Sequence, residues 1–304
     1  MTSESASKIV ITGANSSTGR AILRFGRVGV TSRTFVAAVR SDRAAEQIRL
    51  QVGSLNGVVR ISYSDPSSLD GVFQGASEVI HVAGVLVERW DSTYEEANVA
   101  STRSVVEASK RNGIRKLILV SAIGADESSD NRYYRTKGQA EVLLRASGLS
   151  YTILRVPLLL GSGTAAAAAL RRHLRGGRAR LIDGGRNLQQ PLYVNDLARA
   201  AMAATELSVA RDATLELVGP CSLPEREVVE RAARLLSRTI RINSIPKRLL
   251  SLFLTIRQRI AGEGFSLDAL EVVTADTRLD PQSAAHQLGI ELTGIDEMIK
   301  DSLH

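Results

Sequence analysis

The stretch Thr12-Gly13-Ala14-Asn15-Ser16-Ser17-Thr18-Gly19 decides the fold, because it joins an apolar β-type run to a helical pattern. The run Ile9-Val10-Ile11 precedes it, and Ala21 and Phe25 share one helical face after it. Glycine permits a tight turn, small residues let a ligand approach the backbone, and a helix start offers unpaired amides. The alternative is a plain strand-to-helix turn. We expect the stretch to bind a pyrophosphate group through Gly13, Asn15, Ser16, Ser17, Thr18 and Gly19.

The first half of the chain alternates short β-branched runs with helical patterns, which is typical of βαβ units and a parallel sheet. The runs are nearly continuous in apolar residues, as expected for strands covered on both faces. Six strands are predicted, over residues 8–12, 34–40, 58–63, 78–82, 116–121 and 150–155.

Composition changes after Pro157, where glycines become frequent and short elements mix irregularly. The predicted fold class is therefore α/β: a Rossmann-type doubly wound parallel sheet with a smaller mixed α/β C-terminal substrate lobe. Residues 1–157 are assigned to the dinucleotide-binding domain and 158–304 to the lobe. The segment from about 190 to 205 is expected to return to the first domain.

Composition limits the classes of function. The chain has 304 residues, of which 44% are hydrophobic and 23% charged, the profile of a globular protein. Its longest apolar runs fall short of the roughly 18 residues that would suggest a membrane span. One cysteine, Cys221, allows neither an internal disulfide nor a thiolate metal cluster, and the four histidines lack metal-ligand spacing.

The net charge of +7 comes mostly from arginines spread along the chain without interleaved aromatic residues. We therefore expect a solvated basic surface or an anion-binding lobe, and no nucleic-acid partner. The N-terminal residues carry no signal-peptide pattern, so a cytoplasmic location is predicted.

The second predicted strand ends in Val39-Arg40-Ser41-Asp42-Arg43. An acidic residue at this point accepts the ribose 2′-hydroxyl of NAD, whereas an arginine suits the 2′-phosphate of NADP. Arg40 therefore favours NADP(H) over NAD(H) as the cofactor. The alternative is a surface arginine at a strand end.

The glycine loop resembles the Thr-Gly-x-x-Gly-x-x-Gly loop of the extended and atypical short-chain dehydrogenase/reductase superfamily, with Ser16 in place of the middle glycine. We expect altered loop geometry rather than lost binding. The resemblance continues through Asp65-Pro66, Val79–Gly84, Asn98–Thr102 and Gln190–Ala198, and it extends loosely to the complex I accessory subunit-like and NmrA-like branch.

By this resemblance, several more residues contact the dinucleotide. Val82, Ala83 and Gly84 form a small-residue turn against it, and the backbone of Val156, Pro157 and Leu158 passes the nicotinamide. Ser62 stands where the superfamily has an aspartate facing the adenine, so Ser62 and Tyr63 are the positional candidates. The resemblance implies that Asn98 holds the active-site helix and a water, while a helix-start cap is the alternative.

A Ser…Tyr-x-x-x-Lys set follows the fifth predicted strand. Tyr133 and Lys137 are four residues apart and share one helix face. A free tyrosine titrates near 10, and a neighbouring ammonium is expected to lower that pKa. By resemblance to the superfamily's catalytic triad, Tyr133 is the proton relay, Lys137 tunes it, and Ser121 orients the substrate. Tyr133 and Lys137 are also expected to contact the cofactor. Tyr134 remains a competitor for the relay role.

The leading hypothesis is an NADP(H)-dependent oxidoreductase that transfers hydride between the nicotinamide and a carbonyl or alcohol carbon. Apolar residues near Val85 and Leu158 favour a small, fairly apolar substrate, and core packing is the alternative explanation of these residues. A cofactor-binding sensor or scaffold without turnover is the first alternative, and an NAD(P)-dependent epimerase the second. The sequence leaves open whether the chain forms a homo-oligomer.

Overall fold

The structure, a computed structural model, describes residues 7–29, 33–52, 57–82, 84–261 and 264–304. Thirteen strands lie within these ranges. They are β1 Ser7–Thr12, β2 Arg33–Val39, β3 Gly57–Arg60, β4 Glu78–His81, β5 Lys116–Ala122, β6 Tyr151–Val156, β7 Leu159–Leu160, β8 Arg178–Ile182, β9 Leu188–Gln189, β10 Leu192–Tyr193, β11 Ala213–Glu216, β12 Leu223–Pro224 and β13 Arg241–Ile245.

Seven strands form one sheet in the order β11-β6-β5-β4-β1-β2-β3, and every neighbouring pair is parallel. The chain starts in the middle at β1, moves to one edge through β2 and β3, and then crosses to β4 on the other side. The direction of winding therefore reverses between β1 and β4. The carboxyl ends of strands beside such a reversal form the ligand crevice of doubly wound sheets.

Twelve α-helices, the last four of which follow the final strand, lie within the described ranges. They are α1 Ser17–Gly29, α2 Asp42–Val52, α3 Pro66–Phe73, α4 Ser101–Arg111, α5 Arg132–Arg145, α6 Ala165–Gly176, α7 Val194–Ala203, α8 Glu225–Leu235, α9 Lys247–Ala261, α10 Leu267–Thr274, α11 Pro281–Gln287 and α12 Ile295–Leu303. A π-helical turn at Glu95–Ala100 runs directly into α4. The Asp65 carboxylate caps α3, and the Asn131 side-chain oxygen caps α5.

The sheet is buried on both faces, which explains the apolar runs in its strands. Along β1, Ile9 and Ile11 belong to one core cluster, and Val10 belongs to the other. Strand side chains alternate between the two faces of the sheet, so each strand contributes side chains to both core clusters. The predicted doubly wound α/β class is confirmed.

The region after β6 adds to the sheet and also builds a smaller lobe. In the lobe, α12 packs against α6 and α8, and β8 pairs with β13. In the sheet, β11 pairs with β6, and α7 packs against α1. The sheet thus has seven strands rather than the six predicted, because the seventh comes from residues beyond the lobe's start. The division at residue 157 stays a prediction.

Candidate cofactor and active site

The loop after β1 is compact because its glycines are sterically required. Gly13 has a φ of 71°, in the left-handed region that favours glycine. A Cβ on Gly19 would lie 2.6 Å from the Ala14 Cα and 2.7 Å from the Gly13 carbonyl oxygen. Helix α1 therefore begins directly against the loop, and amides of its first turn have no intrahelical acceptor.

Ser16 gives the loop its own cap. Its Oγ accepts a hydrogen bond from the Gly19 amide at 3.0 Å, and its amide donates to the Gly13 carbonyl at 3.0 Å. The serine that replaces the middle glycine thus satisfies one amide of the helix start. Ser17 and Thr18 follow as the first residues of α1.

A cavity of about 150 Å³ opens beside this loop at the carboxyl ends of the strands around the β1–β4 reversal. Its lining comes from four strand ends and from the turn before α4. The lining residues are Gly13, Asn15, Ser16, Val39, Arg40, Tyr63, Val82, Gly84, Val85 and Ala97. Seven of the residues predicted to contact the cofactor are among them.

Arg40 and Tyr63 stand side by side in this lining. Arg40 is exposed at the end of β2. Burial raises the pKa of Tyr63 to about 12, although a hydrogen bond with Thr12 and the charge of Arg40 oppose the shift. Ser62 is exposed, its hydroxyl lies 2.9 Å from that of Ser64, and it is not among the lining residues. Ala83 lies outside the described residues.

His81 at the end of β4 is a fully buried strand histidine. Its Nδ1 lies 2.6 Å from the Thr12 hydroxyl oxygen. Burial, helped by the nearby Lys137 charge, lowers the pKa of His81 to about 3. The ring therefore stays neutral and packs in the wall rather than exchanging protons.

Lys137, Asn98 and Gly84 meet beside the cavity. A Cβ on Gly84 would lie 2.7 Å from the Lys137 Nζ and 2.9 Å from the Asn98 Oδ1. The Lys137 ammonium donates to the Val120 carbonyl at 3.3 Å, and burial lowers its pKa to about 8 although Glu141 opposes the shift. Because Gly84 has no side chain, its backbone can lie directly against the Lys137 ammonium and the Asn98 amide oxygen.

Asn98 ties the π-helical turn to α5. Its Nδ2 donates to the Thr136 hydroxyl at 3.0 Å, one residue before Lys137. The alternative role of Asn98 as a helix-start cap is wrong. Asn98 lies inside the π-helical turn rather than at its start, and its side chain bonds to α5. Its buried Oδ1 has no hydrogen-bond partner in the described part of the chain.

These groups fit a dinucleotide. A buried acceptor without a partner is costly, and a ribose hydroxyl can donate to it. The Gly13–Gly19 loop and Arg40 line the cavity, and the Asn98–Lys137 pair adjoins it at Gly84, so groups suited to a pyrophosphate, a 2′-phosphate and a ribose surround one space.

Tyr133 lies in a cluster of aromatic rings at the start of α5. Its ring centroid is 5.8 Å from that of Tyr94 and 5.7 Å from that of Tyr134. Burial raises the pKa of Tyr133 well above its usual value, and Tyr134 and Tyr94 add to the shift. The pKa thus shifts in the direction opposite to the expected one, because burial raises it and Lys137 is not among the groups that act on it. Tyr133 is a neutral phenol at neutral pH.

Tyr134 points to a different neighbour. A Cβ on Gly124, in the loop after β5, would lie 3.0 Å from the Tyr134 ring. The ring therefore covers that loop, and burial followed by the charge of Glu271 raises its pKa as well.

Ser121 is engaged inside the protein. Its hydroxyl donates to the Glu141 Oε1 at 2.6 Å, and Arg155 donates to the same carboxylate through Nε and Nη2. Arg145 forms a further ion pair with Glu141, which is completely buried. Within the described ranges, no hydrogen bond joins Ser121 to Tyr133 or Lys137. The structure therefore brings Ser121 to Glu141 rather than to a free substrate-facing position.

Sequence reasoning missed Glu141. The available signal was its spacing, since Tyr133, Lys137 and Glu141 follow one another at four-residue intervals and share one face of α5.

The segment after β6 passes the same edge of the sheet. The Val156 carbonyl accepts from the Ile123 amide at 3.1 Å, and the Leu158 carbonyl accepts from the Leu192 amide at 3.0 Å. Pro157 lies between them, and the Leu158 side chain is exposed. This places an apolar side chain beyond the end of β6.

Two classes of feature are not seen. None of the helices in the described ranges is both long and apolar enough to cross a bilayer. Within the same ranges, no cluster of three or more His, Cys, Asp or Glu side chains is arranged to hold a metal ion.

A family model and several known proteins are similar to this chain. A family model described as NAD(P)H-binding matches residues 13–179, more than half of the chain. The mitochondrial NADH dehydrogenase [ubiquinone] 1 alpha subcomplex subunit 9 of Arabidopsis thaliana is 27% identical over 262 residues, covering 81% of this chain and 65% of that protein. The ceramide reductase of Caulobacter vibrioides is 32% identical over 165 residues, covering 54% of this chain and 50% of that protein.

The matched regions thus span about half to two-thirds of the length of these relatives. Among solved structures, MoeE5 in complex with UDP-glucose and NAD superposes with a TM-score of 0.75 at 22% identity, covering 97% of each chain. This likeness concerns the fold. With the glycine loop, the crevice and the family match in agreement, the chain belongs to the NAD(P)H-binding proteins of the extended and atypical short-chain dehydrogenase/reductase superfamily.

Proposed function

We propose that the chain is an NADP(H)-dependent oxidoreductase that reduces a carbonyl group of a small, fairly apolar substrate. The observation that carries this proposal is the placement of Tyr133 and Lys137 on one face of α5, with Lys137 beside Gly84 at the cofactor crevice. When bound, the nicotinamide supplies the hydride. Gly13–Gly19, Arg40, Asn98 and Lys137 would hold the cofactor.

The protonation states favour reduction over oxidation. Because Tyr133 keeps its proton at neutral pH, it can donate that proton to the oxygen of a carbonyl that is gaining hydride. Alcohol oxidation would instead need the phenolate, which burial disfavours. Lys137, one turn further along the same face of α5, would supply positive charge that offsets the phenolate left after donation.

An apolar substrate is supported by the surroundings of the crevice. Val85 lines the cavity, and Leu158 is an exposed apolar side chain after β6. The ceramide reductase, similar to half of this chain, acts by its name on a lipid. Together these features favour an aliphatic carbonyl compound.

The first experiment compares Tyr133→Phe with Tyr134→Phe. NADPH oxidation is followed by absorbance with aliphatic ketones and aldehydes of increasing chain length. Tyr133→Phe should lower kcat by about a hundredfold or more, since a lost general acid typically costs that much. NADPH affinity should stay within about twofold in both variants. Unchanged turnover in Tyr133→Phe, or an equal loss in Tyr134→Phe, would contradict the role of Tyr133.

The second experiment tests the cofactor. Arg40→Asp should weaken NADPH binding by about tenfold or more, because a guanidinium–phosphate contact becomes a repulsion, and should leave NADH affinity similar or higher. Arg43→Asp is the matched control. Tighter binding of NADH than NADPH by the unmodified protein would overturn the NADP(H) assignment.

One observation favours a second candidate function, a cofactor-binding protein without turnover. The Ser121 hydroxyl donates to Glu141, so the expected orientation of substrate by this serine is lacking. Under this alternative, NADPH binds tightly, and neither Tyr133→Phe nor any carbonyl compound changes NADPH oxidation.

A further inference from the structure

Helix α9 presents an apolar stripe to solvent. Leu249, Leu252, Phe253 and Ile256 are 64%, 59%, 60% and 52% exposed. Their spacing of i, i+3, i+4 and i+7 places them on one face. Four neighbouring large apolar side chains in solvent differ from scattered surface residues, and such a stripe indicates an interaction surface.

The opposite side of α9 is fixed to the protein. Leu254 is buried, and the Lys247 ammonium donates to the Thr274 hydroxyl at 2.7 Å. The Lys247 amide also donates to Asp183 Oδ1 at 2.9 Å. At 100° per residue, Leu254 and Lys247 lie roughly opposite the apolar stripe. The helix therefore packs by its back, and its most apolar face points away from the core.

A second exposed apolar side chain, Trp90, comes from another part of the chain. It is 81% exposed, and it is the chain's single tryptophan. Its loop is held near the end of α9, because Gly264, three residues past that helix, donates through its amide to the Glu88 carbonyl at 3.2 Å. Exposed tryptophan is typical of surfaces that contact the headgroup region of a bilayer.

The same loop leads to the candidate active site. The Glu88 carboxylate accepts from both Arg132 terminal nitrogens, at 3.0 and 3.1 Å. Arg132 is the first residue of α5, directly before Tyr133. The loop also begins just after Gly84, which lines the cofactor cavity. The apolar surface and the crevice are therefore linked by one short segment.

Unpaired positive charge lies on the same lobe. Arg248 is exposed on α9, and Arg241, in the strand just before α9, pairs in register with Arg178 of β8. Arg178, Arg180, Arg241 and Arg248 are exposed, and none forms an ion pair with another described side chain. A second copy of the chain on this surface would bring these cations together, whereas anionic headgroups would neutralise them.

We propose that α9 and Trp90 bind the surface of a bilayer that contains anionic phospholipid. The helix would lie in the plane of the interface, with its apolar stripe among the upper acyl chains and its arginines at the headgroups. This binding requires no membrane-spanning segment. It would place the crevice at the lipid surface, from which an apolar substrate could enter.

The test uses the full chain without cofactor or substrate. Sedimentation with vesicles of phosphatidylcholine containing about one-third phosphatidylglycerol should show binding, which high salt weakens. Phe253→Ser should weaken it by about tenfold, because one large side chain no longer enters the acyl region. Leu50→Ser, at an apolar residue of α2 that is 77% exposed, is the matched control and should bind as the parent does.

The single tryptophan gives an independent signal. On binding, the emission of Trp90 should move to shorter wavelength and be quenched by brominated acyl chains. Absence of binding, or equal binding to pure phosphatidylcholine, would overturn the proposal. So would a stable dimer by light scattering that Phe253→Ser converts to monomer, since the stripe would then join two copies. Thermal unfolding confirms that Phe253→Ser is folded. NADPH titration and carbonyl reduction are separate measurements, so their failure would leave this result intact.

Discussion

Replacing Glu141 with glutamine tests whether the buried carboxylate under the candidate active site holds the fold together. The Glu141 side chain is 0% exposed, and it pairs with Arg155 and Arg145, which are 21% and 37% exposed. Removing one partner of a buried pair typically costs 3–5 kcal/mol, because the other charge is left uncompensated. Both arginines are partly exposed to solvent, so we expect Glu141→Gln to lower the free energy of unfolding by about 3 kcal/mol, the lower end of this range.

This cost corresponds to a measurable fall in Tm. An unfolding entropy of about 2.1 cal/mol/K per residue is about 0.6 kcal/mol/K for 304 residues, so the Tm should fall by about 5 °C. The measurement is thermal unfolding by circular dichroism at pH 7.

The matched control is Glu227→Gln, which removes an ion pair of similar length. Glu227 lies 2.7 Å from Arg231 one helical turn away, but both side chains are about one-third exposed. Exposed pairs of this kind contribute less than about 0.5 kcal/mol, so its Tm should change by less than about 1 °C. Equal losses in the two variants, or a Glu141→Gln protein within about 1 °C of the parent, would refute the reasoning.

Two further predictions concern the crevice. Gly19→Ala should weaken NADPH binding by about tenfold or more, because its Cβ would meet the Ala14 backbone; Gly71→Ala, with open space around it, should not, and fluorescence titration distinguishes them. The pKa of Lys137 is about 8 in the folded chain against an ordinary 10.5, so between these values only the unfolded chain holds the proton and stability should rise with pH. Thermal unfolding between pH 8 and 10.5 should show a Tm that rises for the parent relative to Lys137→Met. A parent Tm that falls relative to that of Lys137→Met over this range would contradict the prediction.

The fold could be predicted because its signals are local. The order of strand, glycine loop and helix at Ile9–Phe25 is readable within one βαβ unit, and apolar runs mark strands that two core faces cover. Strand β11 was missed because Ala213–Glu216 is short and carries only two apolar residues, so only its pairing with β6 reveals it.

The chemistry of the site was less readable because it depends on contacts between distant residues. Glu141 meets Ser121 20 positions away and Arg155 14 positions away, which no motif describes. The direction of the Tyr133 pKa depends on burial among Tyr94 and Tyr134, a property of packing rather than of the Tyr-x-x-x-Lys spacing. The spacing alone suggests the opposite direction.

The late position of β11 in the chain affects the order in which the sheet can be completed during synthesis. A nascent chain that has reached Pro157 contains six strands, yet the edge of β6 has no partner until Ala213–Glu216 emerges. Helix α7, which covers α1, is also still missing at that stage. An unpaired β6 edge can join another chain, so premature termination between these points favours aggregation. Of the smaller lobe, α6 and β8 are therefore made before the sheet that binds the cofactor is complete, whereas α8, β13 and α12 follow it.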